Sequence, residues 1–300
     1  MKVLGKIGIG LIAMLMLVIS CEDNNEENLG EGNLKLSLTD APIDAENVTG
    51  VYITFSEIYY NKNQESWQKF EEFEGPKTFN LLELTNGDTA VLGDFSMGAG
   101  NYAGIRLMLD AVEKGANTEN RSNPGCYLEF KDGTTQPLFV PSGEQTGYKM
   151  MTSFAVPSNG TVSLTADFNA RKSVRKAGNS GMYILRPTIR LIANDAAGTI
   201  AGNVQNAPDS SVVVYAYEDG TYVDSVETAD PAEDETRFPN SVSSTKVADS
   251  SYKLAFLAPE TYDLVVAATL DGEFKGVLKL VEDVTVNSDE VTNHDIDLQN

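Results

Sequence analysis

Histidine and cysteine are almost missing from this 300-residue chain, and cations are scarce. His294 is the one histidine. A Ser-His-Asp site or a histidine metal site would have to be assembled around it, and its place on an expected final strand reads as a solvated sheet edge. There are two cysteines. Cys21 closes the N-terminal apolar run, which leaves Cys126 without a partner for an intrachain disulfide even in an oxidising compartment. A Cys126 nucleophile would have no histidine in its own half of the chain, so this thiol is expected to be buried and structural. Lys and Arg number 22 against 44 Asp and Glu, a net charge of −22. Nucleic-acid binding depends on cationic neutralisation of phosphates, so that class is excluded, as is charge-driven attachment to anionic lipid. Long apolar runs are missing too. The longest, residues 7–19, falls short of the roughly 20 residues that a membrane-spanning helix needs, and no amphipathic helix of three turns follows it.

That short run has another use. Lys2 and Lys6 precede it, as in the positive head of a secretory signal, and it ends in Val18-Ile19-Ser20-Cys21. This order resembles the bacterial lipobox, which implies cleavage after residue 20 and acylation of Cys21 with fatty chains such as palmitate. At about 0.8 kcal/mol per buried methylene, more than one chain anchors stably. Residues 21–32 open with Glu22, Asp23, Glu26 and Glu27 and read as an extended, solvated tether. Acidic runs in this place resemble the export signal that carries some Gram-negative lipoproteins to the outer leaflet. The expectation is a lipid-anchored outer-membrane protein facing outward, with the periplasmic face as the alternative. Loss of Lys2 and Lys6 takes the charge from −22 to −24.

The remainder has the length of two domains, 33–196 and 197–300, with a polar joint at 194–197. Leu34, Leu36 and Leu38 alternate with polar residues up to Asp40-Ala41-Pro42, a half-buried strand. Val51, Ile53 and Phe55 repeat the pattern, as do Ile105, Leu107 and Leu109. Lys131-Asp132-Gly133 sits between two short apolar runs as a hairpin turn, and Asn86-Gly87 marks another turn. Residues 79–84 fit either a strand or a helical turn. In the second half, strands are expected at 199–204, 212–217, 222–227, 242–248, 252–257, 262–270, 274–280 and 292–298, with 230–240 as a mobile edge loop. Frequent turns and short β-branched runs argue for an all-β chain of two β-sandwich domains. Tyr102 and Tyr262 each follow a turn and open an alternating strand, as a tyrosine that closes a Greek-key corner does.

Several pieces occur in a telling order: Leu36-Ser37-Leu38-Thr39-Asp40-Ala41-Pro42, Gly100-Asn101-Tyr102, Val140-Pro141-Ser142-Gly143, Asp167-Phe168-Asn169-Ala170-Arg171-Lys172-Ser173-Val174 and Tyr183-Ile184-Leu185-Arg186-Pro187. Together they resemble the bacterial lipoprotein family known as domain of unknown function 4382, over about 33–192. The family form tends to carry aspartate where Asn169 stands, which argues against a carboxylate pair there. The resemblance implies an address and a domain boundary rather than a chemistry. From Gly198, the pieces Gly198-Thr199-Ile200-Ala201-Gly202-Asn203-Val204 and Val213-Val214-Tyr215-Ala216 resemble the carboxypeptidase-regulatory-like, Ig-like or transthyretin-type sandwiches that serve as stalks or packing partners.

The second half carries 20 acids against five Lys or Arg. In the first, Arg171, Lys172, Arg175, Lys176, Arg186 and Arg190 lie within twenty residues. Leaving a strand on a loop, where recognition residues collect, Arg171, Lys172, Arg175 and Lys176 are the binding candidates. Their partner is an acidic glycan, another surface protein or the acidic second half. Asp40, Asp44 and Asp167 are weak calcium candidates, although Asp40 fits better as an acceptor for a turn's backbone amides. No cofactor is implied. The reading is a non-catalytic binding or structural lipoprotein; the alternatives are an adhesin or glycan-binding component and, third, a hydrolase using a carboxylate pair. Binding requires an aromatic patch or a groove lined by residues 171–176. An enzyme requires a cleft holding two acids.

Overall fold

The computed structural model describes residues 30–41, 47–62, 66–111, 125–141, 147–178, 181–232, 235–270 and 273–299. The lipobox, Cys21, the acidic tether up to residue 29 and Asp44 lie outside them. The described chain is all-β. Every strand up to Ala193 pairs only with strands of that half, and every strand from Gly198 only with its own.

In the first half a four-stranded sheet runs Ile189–Ala193, Thr161–Asn169, Glu31–Ala41, Ala90–Gly98. Its central pair, Glu31–Ala41 with Thr161–Asn169, is parallel, and both outer pairings are antiparallel. The alternation read from Leu34, Leu36 and Leu38 is real: all three are fully buried. Each such burial contributes about 1.5–3 kcal/mol. They face a larger sheet centred on Val48–Lys62, which pairs with Gly100–Leu109 and Tyr127–Phe130. That sheet continues through Thr135–Phe139 and Tyr183–Leu185 to a short edge strand, Val174–Lys176. Ile53, Phe55, Ile58, Ile105 and Leu107 fill the space between the sheets.

In the second half, Gly198–Gln205 is flanked by Ser251–Leu257 on one side and by Val291–Asn293 and Ile296–Asp297 on the other. The opposing sheet runs Ser243–Lys246, Ser211–Glu218, Thr261–Leu270, Glu273–Thr285. Strand Ser211–Glu218 is buried on both faces. Val212, Val214 and Ala216 point into the core between the sheets, while Val213, Tyr215 and Tyr217 cover the outer face with Phe238, Val265 and Ala267. A strand buried on both faces reads as an unbroken apolar run, which is how Val212 to Tyr217 reads.

Both tyrosine corners form. Buried Tyr102 donates its hydroxyl to Gly98 O at 2.6 Å, and buried Tyr262 to Ala258 O at 3.1 Å. Asn86 (φ +57°) and Gly87 (φ +81°) make the expected turn with both central residues left-handed. Residues 79–84 divide: Lys77–Asn80 is a strand and Leu81–Glu83 a short helical turn, with Asn80 Oδ1 accepting from Leu82 N. Two strand expectations fail. Residues 222–227 end in a helical turn, Asp224–Glu227, because Glu227 turns inward to take the Tyr217 hydroxyl at 2.6 Å. The C-terminal strand is cut in two at His294, whose carbonyl lies 2.0 Å from where a Cβ on Gly202 would stand, so only glycine fits.

Candidate functional site

The site grows from the end of the parallel pair. Register sets Thr39 beside Asp167, Asp40 beside Phe168 and Ala41 beside Asn169. After Asn169 the chain makes one helical turn, Ala170–Ser173, and Asn169 Oδ1 caps it by accepting from Lys172 N at 3.0 Å. Asp40 Oδ1 takes the Ala170 amide at 2.8 Å from the neighbouring strand. Two amide donors that the turn itself leaves unpaired are thereby met. Ser173 Oγ donates to Asn169 O and accepts from Thr188 N at 2.8 Å, tying the turn to the chain after Pro187. Burial pushes the Asp40 carboxyl well up, the Ala170 amide opposes this, and Asp167 adds to the rise. Burial also raises Asp167, against the pull of Arg190, whose guanidinium meets it at 2.6 Å. Asp40 and Asp167 are thus engaged by a backbone amide and an arginine. Among the described residues, no three His, Cys, Asp or Glu side chains gather as a metal site.

This turn aims the basic cluster at the second half. Arg171 is only 2 % exposed. Its guanidinium donates to Phe238 O at 3.1 Å, to Ser241 Oγ at 2.8 Å and to Arg237 O, and lies 5.2 Å from the Tyr215 ring centre. Lys172 Nζ donates to Ser241 O at 2.6 Å. Burial, then the like charge of Arg171, lower the Lys172 ammonium to about 8, against the attraction of Glu227. The contact to the second half therefore uses carbonyls and a hydroxyl rather than its abundant surface acids. Buried Glu227 is held by Tyr217 and Asn240. Within the segment expected as a mobile edge, Arg237 and Phe238 meet Arg171, and Phe238 is buried. The Thr245 hydroxyl, donating to Asn86 Oδ1, makes a second contact between the halves.

Beside the clamp the two sandwiches leave a cleft of about 540 Å³, within the range of roughly 300–1,000 Å³ typical of small-molecule sites. Val48, Leu128, Phe130, Val174 and Tyr183 form one wall; Val213, Tyr215, Ala267, Phe238 and Phe274 form the other. Its charged lining residues are Arg171, Lys176 and Arg237; among the described residues no carboxylate lines it. Arg237 lies over the Phe274 ring at 4.4 Å and pairs with exposed Asp230 at 2.6 Å. Exposed Lys176, at the end of the edge strand, lines both this cleft and an adjoining hollow of about 450 Å³. That hollow adds Asp132, Thr134 and Gln136 to the shared Asn47, Phe130 and Tyr183.

Of the four basic candidates, Arg171 and Lys172 thus serve the junction and Lys176 lines the cleft. Arg175 donates from Nε to Lys172 O at 3.0 Å. Cys126 is fully buried, with Sγ 3.4 Å from Thr54 N. His294 is half-buried between the last two short strands, and its carbonyl takes the Tyr252 hydroxyl. Sequence reasoning missed the second wall of the cleft. The unbroken run Val212 to Tyr217 was its signal, since a strand apolar on both faces needs a second cover.

A family model described as "Domain of unknown function (DUF4382)" matches residues 31–187. No curated protein matches the chain. Among solved structures it is similar to the Bacillus anthracis TIE protein, at 10% identity and TM-score 0.20, covering 89% of this chain and 34% of that one. The chain thus spans about a third of that protein's length. It is similar to the minor pilin GBS52 of Streptococcus agalactiae, at 11% identity and TM-score 0.20, with 88% and 94% covered. The shaft pilin spaA of Lactobacillus rhamnosus GG matches at 10% identity and TM-score 0.22, with 89% and 96% covered. Likenesses at this level say nothing of what the chain binds.

Proposed function

The chain belongs to the family described as domain of unknown function DUF4382, whose model spans more than half of it, and from that premise we propose that it is a lipid-anchored, outward-facing outer-membrane protein that binds a ligand without catalysis. The anchor rests on Val18-Ile19-Ser20-Cys21 and the acidic stretch behind it. The binding role rests on the inter-sandwich cleft: aromatic walls, three cations and, among the described residues, no lining carboxylate, in a chain of net charge −22. A cationic patch in a field of opposite sign focuses anionic ligands into itself. The non-catalytic role is supported by Asp40 and Asp167, the acids raised by burial, being engaged by Ala170 N and Arg190 at the end of the first sandwich's parallel pair instead of lining the cleft. A carboxylate-pair hydrolase needs two acids flanking its substrate.

A fluorescent anionic aromatic, anilinonaphthalene sulfonate, tests the cleft. The mature protein is expected to bind about one dye per chain, and Lys176→Glu with Tyr183→Ala to abolish it while the circular dichroism stays native. Full dye binding by that double variant would remove the cleft from the argument. Labelling the expressed precursor with a radioactive fatty acid tests the anchor: label is expected on the wild type and absent from Cys21→Ala, and an unlabelled wild type overturns it.

A further inference from the structure

The two confluent hollows differ in character, and the difference selects a ligand. The first is aromatic and cationic; the second is polar, with Asn47, Gln136 and Lys131 beside an Asp132 carboxylate that takes the Thr134 hydroxyl. Lys176, Tyr183 and Phe130 stand where they meet. An acyl chain suits the first hollow but makes no use of the exposed polar groups of the second. A simple inorganic anion suits Lys176 and Arg237 but leaves the aromatic walls without a partner. A sugar ring has an apolar C–H face, a rim of hydroxyls and, when oxidised, a carboxylate, so it satisfies all three features together. Electrostatics narrows the choice further. Since the surface at large is acidic, a polyanion would be repelled everywhere except at the cleft.

We propose that the cleft binds a short glycan bearing one acidic sugar, its ring against Tyr183 and Phe130, its carboxylate toward Lys176, and its neutral neighbour in the polar hollow. This rests on the cleft being the binding site, and the test separates the two ideas. Isothermal titration of the full mature protein compares cellobiouronic acid, neutral cellobiose and sodium acetate, with the dye as reference. Cellobiouronic acid is expected to bind at least about tenfold more tightly than either control, because a hydrogen bond between two charged groups is stronger than one between neutral groups. Lys176→Gln, at an exposed position, is expected to erase that advantage and leave the fold unchanged. Equal binding of cellobiose, or an undiminished preference in Lys176→Gln, overturns the acidic-sugar assignment. No sugar binding with dye binding intact overturns it too and leaves the cleft standing. Loss of both in the wild type removes the cleft itself.

Discussion

Arg171→Ala is the sharpest perturbation of this architecture. The guanidinium makes two bonds of 2.8 and 3.1 Å to Ser241 Oγ and Phe238 O and a third to Arg237 O, and lies against the Tyr215 ring. Hydrogen bonds to a charged donor contribute about 1.5–3 kcal/mol each, and the ring contact about 1 kcal/mol. The sum overstates the loss, for two reasons. Phe238 O keeps the Ser241 hydroxyl at 3.0 Å as a donor, and removing a buried cation relieves its own desolvation. A net cost of about 3–5 kcal/mol remains, concentrated between the sandwiches. Urea unfolding read by circular dichroism is expected to show one transition for the wild type and two for Arg171→Ala, because the halves no longer unfold together. Arg171→Lys keeps the charge without the planar fork and is expected to recover less than half of the loss. A double-mutant cycle with Ser241→Ala is expected to return about 1–3 kcal/mol of coupling. A loss under about 1 kcal/mol in Arg171→Ala, with one unaltered transition, would refute the clamp.

Two further outcomes follow from buried polar groups. Tyr262→Phe and Tyr102→Phe each delete a corner hydroxyl bonded four residues back; each is expected to cost about 1–1.5 kcal/mol and to lower the calorimetric midpoint by a few degrees, while Tyr60→Phe, whose hydroxyl bond to Gln68 is exposed, changes it little. Asp40 tests the sign of a pH effect. Its folded pKa lies above the unfolded value of about 3.9, so the folded state holds a proton the unfolded state has lost. That contribution is complete below about pH 3.9 and fades as pH rises through the folded pKa. Asp40→Asn, which keeps an acceptor for the Ala170 amide, is expected to flatten the acid side of the stability profile and to stabilise the protein at pH 8; an unchanged profile refutes the assignment.

What could be read in advance was whatever is local. Leu34, Leu36 and Leu38 announce a buried face because side-chain direction alternates along a strand. Tyr102 and Tyr262 announce corners because the bond they make spans four residues. The Asp40 cap was legible in kind but not in partner, since the amide it takes lies 130 residues away. Asp224–Glu227 escaped because Tyr222, Val223 and Val226 are aromatic and β-branched residues of the kind that strands favour, while burial of Glu227 against Tyr217 decides the matter. Arg171 escaped for a similar reason. An arginine is buried only where carbonyls await it, and nothing in residues 236–241 advertises three acceptors pointing one way.

The run from Asn169 to Lys176 acts as one device. Asn169 caps the turn, Arg171 and Lys172 hold the second sandwich, Ser173 ties the turn to Thr188, and Val174 and Lys176 line the gap beside the clamp. The stretch that carries the family resemblance therefore specifies how two sandwiches stand against each other, and the cleft is the space that stance leaves. Its second wall, Val213, Tyr215, Phe238, Ala267 and Phe274, belongs to residues beyond the matched 31–187. Another protein with the same first sandwich and a different following module would keep Arg171 and Lys176, lose Arg237 and change the opposite wall, and so change the ligand. Within this chain the dependence runs one way. Loosening Arg171 must weaken docking and dye binding together, whereas Tyr183→Ala must lose dye with docking intact, because a wall can be altered without moving the halves but the gap has no existence apart from the clamp.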